Sequence, residues 1–147
     1  LRILQELNID YYTIGKDMCV EEFAALISSV GWSKPSMEQM QLAIENSTQS
    51  FIVRHKGIPI ATINWLGDYG MHWFMKEFIV RKEFQGNMIG RFLYRFSENF
   101  IKSKMQTGWK ECIDLRASKG KENFYHQLGF QIMTEETGSG MEKMVER

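Results

Sequence analysis

The chain has 147 residues, 44% of them hydrophobic and 24% charged, the proportions of an ordinary globular protein able to bury a core in one domain spanning 1–147. Its 18 basic and 18 acidic residues cancel to a formal net charge of zero, which argues against a chain built mainly to grip nucleic acid. Two cysteines, Cys19 and Cys112, show no metal or redox spacing and fit a reducing, cytoplasmic setting, and no apolar run approaches the roughly 20 residues of a membrane span.

Ile9 to Ile14 reads as a first strand from its β-branched and aromatic content, broken by Gly15-Lys16-Asp17. Val20 to Val30 carries Phe23, Leu26, Ile27 and Val30 at helical spacing and stops at Gly31. Ser36 is an N-cap for a second helix with Met37, Met40 and Ile44 on one side. Phe51 to His55 and Ile58 to Trp65 are strands of a hairpin turning at Lys56-Gly57, with Pro59 held to a strand start or edge. Met71 to Val80 is a long strand, apolar on both faces and therefore central. Ile89 to about Met105 is the longest helix, with a stripe of Ile89, Phe92, Leu93, Phe96 and Phe100 and a Glu98–Lys102 pair on its solvent side. Cys112 to Leu115 is a strand in which Cys112 acts as a small buried apolar residue. Gly120 to Leu128 is a short helix capped by Gly129, and Phe130–Met133 with Met141–Val145 are expected to close the sheet as a hairpin. The sum is an α+β fold: a mixed sheet of six or seven strands with helices on both faces.

The most informative stretch runs from Phe78 to Leu93. An apolar strand enters a turn containing Gly86 and leaves it directly as an amphipathic helix. The first N–H groups of such a helix lack intrahelical acceptors, and the helix dipole adds about half a positive charge there. A phosphate or pyrophosphate is the natural guest, and glycines let the backbone approach it. An ordinary strand-to-helix turn would use glycines in the same places. No Gly-Lys-Ser/Thr follows the turn, so a phosphate-loop nucleotide hydrolase is a poor fit.

Two motifs carry a resemblance. Gln85-Gly86-Asn87-Met88-Ile89-Gly90 resembles the acyl-CoA loop Gln/Arg-x-x-Gly-x-Gly/Ala, and Phe124-Tyr125-His126-Gln127-Leu128-Gly129-Phe130 resembles Phe-Tyr-x-x-Leu-Gly-Phe. Both belong to the GNAT superfamily of acetyl-CoA-dependent N-acetyltransferases, whose order of strands and helices also matches from Ile9 to Val145. The resemblance implies a mostly antiparallel GNAT-like sheet and acetyl-CoA as cosubstrate. It places the cofactor on the backbone of Phe78, Ile79 and Val80 and on the turn and first helical residues Gln85, Gly86, Asn87, Met88, Ile89, Gly90 and Arg91. Tyr125 takes the place of the tyrosine near the CoA sulfur that acts as general acid. Met88 departs from the motif, standing where the loop has its first glycine. It can point away and still offer its N–H, or it can narrow the loop. Ser118 stands near where many relatives carry an asparagine that touches the cofactor.

Acetylating an amine requires a neutral amine, a polarised thioester and a proton for the departing thiolate. A phenol such as Tyr125 can supply that proton, or it can be a core tyrosine on a short helix. Strict alternation puts Glu77 on one strand face with Trp73, Met75 and Ile79, where a carboxylate would serve as base; an ion-paired Glu77, or a bulge in the strand, is the competing reading. Trp32, His72 and Trp73, with Trp65 and Tyr69 nearby in sequence, are candidates to line an apolar acceptor pocket, and core packing is the alternative for each aromatic. No histidine pair has ligand spacing, so no metal is expected. The function implied is transfer of acetyl from acetyl-CoA to a primary amine, on a small molecule or a peptide, by direct attack in a ternary complex. No cysteine lies in either motif to form an acetyl-enzyme. A non-catalytic acyl-CoA-binding module is the alternative. Neither nucleic acid nor membrane is an expected partner, and a homodimer is open to the chain because relatives commonly dimerise.

Overall fold

A computed structural model describes residues 12–147. The chain divides into two compact units, Leu1–Leu115 and Arg116–Arg147.

The first unit is built on five strands in spatial order β1-β2-β3-β4-β5. These are β1 (Tyr12–Gly15), β2 (Gln49–His55), β3 (Ile58–Gly67), β4 (His72–Val80) and β5 (Cys112–Leu115). Neighbouring pairs are antiparallel except β4 with β5, which is parallel. Of the expected first strand, Tyr12 to Ile14 lies in β1, and residues 9–11 fall outside the described residues. The β2–β3 hairpin turns at Lys56 and Gly57, both with positive φ, as a two-residue turn matched to strand twist requires.

Helices α1 (Val20–Ser29) and α2 (Met37–Glu45) cover one face of the sheet. Phe23, Leu26 and Ile27 of α1 and Met40 of α2 pack with Ile52 of β2 and Ile79 of β4. Ser36 caps α2 as its sequence position predicts, its Oγ accepting from the N–H of Gln39 at 3.1 Å. Arg54 on β2 ties α1 to the sheet with a two-pronged contact, donating to both oxygens of Glu22 at 2.7 and 2.8 Å. These bonds hold the Glu22 carboxyl down to about 2.

Helix α3 (Ile89–Lys104) covers the other face. Adjacent residues of a strand point to opposite faces, so Phe51, next to Ile52, meets the rings of Phe96 and Phe100 at 5.1 and 5.5 Å. The stripe is turned from the expected one: Ile89, Leu93, Tyr94, Ser97 and Ile101 are buried, and Phe96 lies at the edge. Ser97 explains the turn. It adds nothing to a hydrophobic stripe, but its small side chain fits beneath the helix and donates to the Leu93 carbonyl at 3.0 Å.

Three expectations are corrected. The sheet has five strands among the described residues rather than six or seven. Residues 130–133 and 141–145 form no strands. The Thr134–Thr137 turn between them does form, but Gly138 and Gly140 make the approach to Met141 entropically costly, and an isolated two-stranded hairpin is marginal in water. Met141 is accordingly 96% exposed. Cys112 is exposed because it opens β5, which lies at the edge of the sheet.

In the second unit, α4 (Glu122–Gln127) ends as predicted at Gly129, whose φ of 96° suits a glycine cap.

Candidate active site

Asp68 starts β4. Its carboxylate accepts from the N–H groups of Gly70, Met71 and His72 at 2.7–3.0 Å, which holds its pKa at about 2. From there β4 has two different halves. His72 to Met75 pairs with β5, in register from His72 with Cys112 to Met75 with Leu115. Beyond Met75, β5 leaves, and among the described residues Lys76 to Val80 keeps only β3 as a strand neighbour. An open strand edge of this kind offers its main chain to an extended ligand.

A bulge marks the change. On β3, Thr62 and Asn64 are two residues apart, whereas their partners on β4, Ile79 and Lys76, are three apart. The extra residue lies at Glu77-Phe78, and Glu77 takes a positive φ of 36°. This corrects the expectation of strict alternation. Trp73 faces α3, its ring 6.5 Å from that of Phe100, whereas Ile79 belongs to the α1–α2 cluster on the other face. The Glu77 carboxylate therefore sits at the bulge. Its Oε2 lies 3.5 Å from Lys76 Nζ, close enough for Coulomb attraction, but this oxygen is buried and accepts no hydrogen bond.

The turn follows at once. Lys82–Phe84 is a single 3-10 turn, and Gln85 folds back so that its Nε2 donates to the Val80 carbonyl at 2.8 Å. Gly86 has φ 80°, and a side chain there would meet open space, so its backbone conformation is what calls for glycine. Met88, the N-cap of α3, has φ 64° and ψ 6°, the left-handed conformation that a glycine adopts without strain. Its side chain is 46% exposed and makes no capping bond. The loop thus keeps its course with methionine in the glycine position, and Gln85 to Met88 is exposed. Lys56, Tyr69, Glu77 and Met88 are the non-glycine residues with positive φ among the described residues, so half of them lie in this short stretch.

Tyr125 lies on α4 in the second unit, its ring 5.2 Å from that of Phe124 and 5.8 Å from that of Phe130. Burial pushes its phenol up to about 12, so it stays protonated throughout the neutral range. Among the acceptor candidates, Trp32 is exposed after Gly31 and His72 is exposed at the start of β4. Trp73 is 1% exposed; its ring packs against Trp65 and Tyr69, and its indole N–H donates to Glu111 at 2.7 Å. Trp65 is likewise buried, whereas Tyr69 is exposed.

Sequence reasoning passed over Asn64. It is 1% exposed in the middle of β3, and its Nδ2 donates to the Glu77 carbonyl at 3.0 Å. The available signal was a carboxamide inside the apolar run from Ile60 to Trp65. An open cavity of about 540 Å³ lies at the far end of α3, lined in part by Ile101, Met105, Trp109 and Ile113. At 1.5 Å per residue, Ile101 is roughly 18 Å along the helix from Ile89, so this cavity is remote from the turn. Among the described residues, no group of three His, Cys, Asp or Glu side chains is placed to hold a metal, and no helix is long and apolar enough to cross a membrane.

A strand with one open edge, a bulge, a glycine-dependent turn and a helix start without a side-chain cap follow one another here, features that together suit an extended, phosphate-bearing ligand. The chain belongs to the GNAT acetyltransferase family: the model of the acetyltransferase (GNAT) domain matches residues 46–132. No curated protein matches the sequence. Among solved structures, a protein of unknown function from meticillin-resistant Staphylococcus aureus superposes with a TM-score of 0.79 at 21% identity, over 91% of this chain and 99% of that one. A GNAT-family acetyltransferase of Streptococcus pneumoniae gives 0.74 at 21% identity, over 92% and 98%. An aminoglycoside 6'-N-acetyltransferase complexed with coenzyme A gives 0.67 at 14% identity, over 83% and 86%. At these identities the likeness is one of fold.

Proposed function

We propose that the protein transfers acetyl from acetyl-CoA to a primary amine by direct attack in a ternary complex. The observation that carries this reading is the course of the main chain from Lys76 to Ile89: β4 loses β5 at the bulge, and Gly86 and Met88 both adopt left-handed conformations before an uncapped α3. The open edge at Phe78, Ile79 and Val80 would pair with the pantetheine arm, and the N–H groups from Gln85 to Arg91 would receive the pyrophosphate. CoA bound in the aminoglycoside enzyme of the same fold supports this cofactor.

In the reaction the amine nitrogen attacks the thioester carbonyl, the C–N bond forms and the C–S bond breaks. Glu77, directly or through water, takes the proton from the amine. The CoA thiolate takes a proton from the Tyr125 hydroxyl, a role assigned by the match of Tyr125 to the family motif. The acceptor is an amine on a small molecule or a peptide, with Trp32 and His72 as the exposed candidates to meet it; Trp73 is buried as packing.

The test is direct. Acetyl-CoA should raise the melting temperature, because a ligand that binds only the folded state stabilises it by mass action. A panel of amines should then release free thiol from acetyl-CoA. Tyr125→Phe should lower turnover on the order of a hundredfold while leaving the acetyl-CoA shift intact. Absence of both the shift and thiol release at millimolar acetyl-CoA would sink the reading. A shift without release from any amine would favour the non-catalytic acyl-CoA module.

A further inference from the structure

Asn64 has a buried carboxamide in the middle of an apolar strand, a costly placement unless its donors are used. Both are used. One Nδ2 proton goes to the Glu77 carbonyl at 3.0 Å and the other to Thr62 Oγ1 at 3.3 Å. Thr62, also buried, donates its own proton to the Phe51 carbonyl at 2.9 Å. Its hydroxyl can therefore only accept from Asn64, which fixes the amide with its nitrogen, not its oxygen, toward Glu77. The three bonds form one network that links β2 through β3 to the bulge of β4, with donation running outward from Asn64 in both directions.

The recipient is the one peptide of β4 where the strand is irregular. Glu77 holds a positive φ, and conformations of this kind persist only where surrounding bonds over-determine them. The peptide is trans, so its carbonyl and N–H point in opposite directions. Holding the Glu77 carbonyl on Asn64 thus directs the Phe78 N–H away from Asn64 and sets where the Glu77 side chain leaves the strand.

We propose that Asn64 is a positioning residue for acetyl transfer, holding the Glu77–Phe78 peptide plane at the point where β4 parts from β5. This rests on the acetyltransferase reading above. Asn64 itself touches neither cofactor nor acceptor. It acts through the orientation of one peptide, and its effect belongs to the chemical step more than to cofactor binding, which is spread over the strand edge from Phe78 to Val80, the turn and α3, so that one peptide carries a small share of it.

Asn64→Leu keeps the volume and removes both donors. In the folded variant, kcat with the best amine of the panel should fall at least about tenfold, while acetyl-CoA affinity by calorimetry changes less than about threefold. The Phe78 amide resonance should move in a 1H–15N spectrum, and that of Trp73 should stay. An unmoved Phe78 resonance overturns the proposal, as does an unchanged kcat, or a kcat and an affinity that fall together. Should Asn64→Leu fail to fold, Thr62→Val takes its place. It leaves Asn64 intact but removes the acceptor that orients it, and should show the same pattern at smaller amplitude, with an unmoved Phe78 resonance again overturning the proposal. A parent protein that neither binds nor turns over acetyl-CoA defeats the function reading before any variant is made, so the two failures are distinct.

Discussion

The two halves of β4 have opposite surroundings, and the charged side chains of the strand, Lys76 and Glu77, both lie in the second half. From His72 to Met75 the strand has neighbours on both edges, and Trp73 and Met75 are buried against the α3 side. From Lys76 to Val80 it has, among the described residues, one strand neighbour, together with a bulge and, at Glu77, a backbone outside the usual strand conformations. The first half is built as a core strand is built. The second keeps an edge open, which a stability argument alone would fill. The difference separates residues whose loss should unfold the protein from residues whose loss should stop it working.

The largest effect expected is on the closed half. Trp73→Ala removes a ring packed against Trp65, Tyr69 and Phe100 and an indole bond to Glu111, and should cost about 3–5 kcal/mol in denaturant unfolding. The milder Trp73→Phe should leave the KM for the amine unchanged. A raised amine KM without lost stability would move Trp73 from the core to the acceptor site and blur the division.

On the open half, Glu77→Gln should do the reverse. Glu77 Oε2 accepts no hydrogen bond, so little stability is at stake, while turnover should fall on the order of a hundredfold if the carboxylate is the base. The pH profile of the variant should keep only the ionisation of the amine. A variant as active as the parent would give the proton to water and leave the bulge a purely geometric role.

Acid should separate fold from site in the same way. The depressed Glu22 contributes stability that is fully present above its ordinary value of 4.5 and is lost as pH falls toward about 2. Glu22→Gln should cost about 2 kcal/mol at neutral pH, flatten the acid limb of stability between those values, and leave the kinetics alone. An acid limb unchanged in the variant would place the sensitivity elsewhere.

How much of this was legible in the sequence follows from the same physics. Periodicity exposed the long helix and the β2–β3 hairpin, and Ser36 announced its cap, because each is fixed by nearby residues. The turn was readable because a left-handed backbone selects glycine, and Gly86 still shows it. A bulge in this strand is one of the alternatives the sequence leaves open, but its place is not readable: nothing in the string Met75-Lys76-Glu77-Phe78 says that one residue has no partner on β3, so strict alternation puts Glu77 on the wrong pattern and Asn64 goes unnoticed. The missing closing strands follow from the same limit. Phe130–Met133 and Met141–Val145 have strand composition, but a strand also needs a ladder, and composition does not supply one.

The smallest effect is also the one that discriminates most finely within the open half. Met88 occupies a glycine conformation, which costs an L-residue about 1–2 kcal/mol. Met88→Gly relieves that strain and returns part of the gain through the greater entropy of the unfolded chain, leaving a net stabilisation of about 0.5–1 kcal/mol. The exposed side chain forfeits little packing. If the strain serves only to carry the loop to α3, the glycine variant should be more stable and bind acetyl-CoA at least as well, since the N–H groups keep their directions. If the methionine side chain itself meets the cofactor, stability should still rise but the acetyl-CoA melting shift should shrink. A variant that loses stability would mean that Met88 packs in solution, and the glycine-like reading of this position would fail with it.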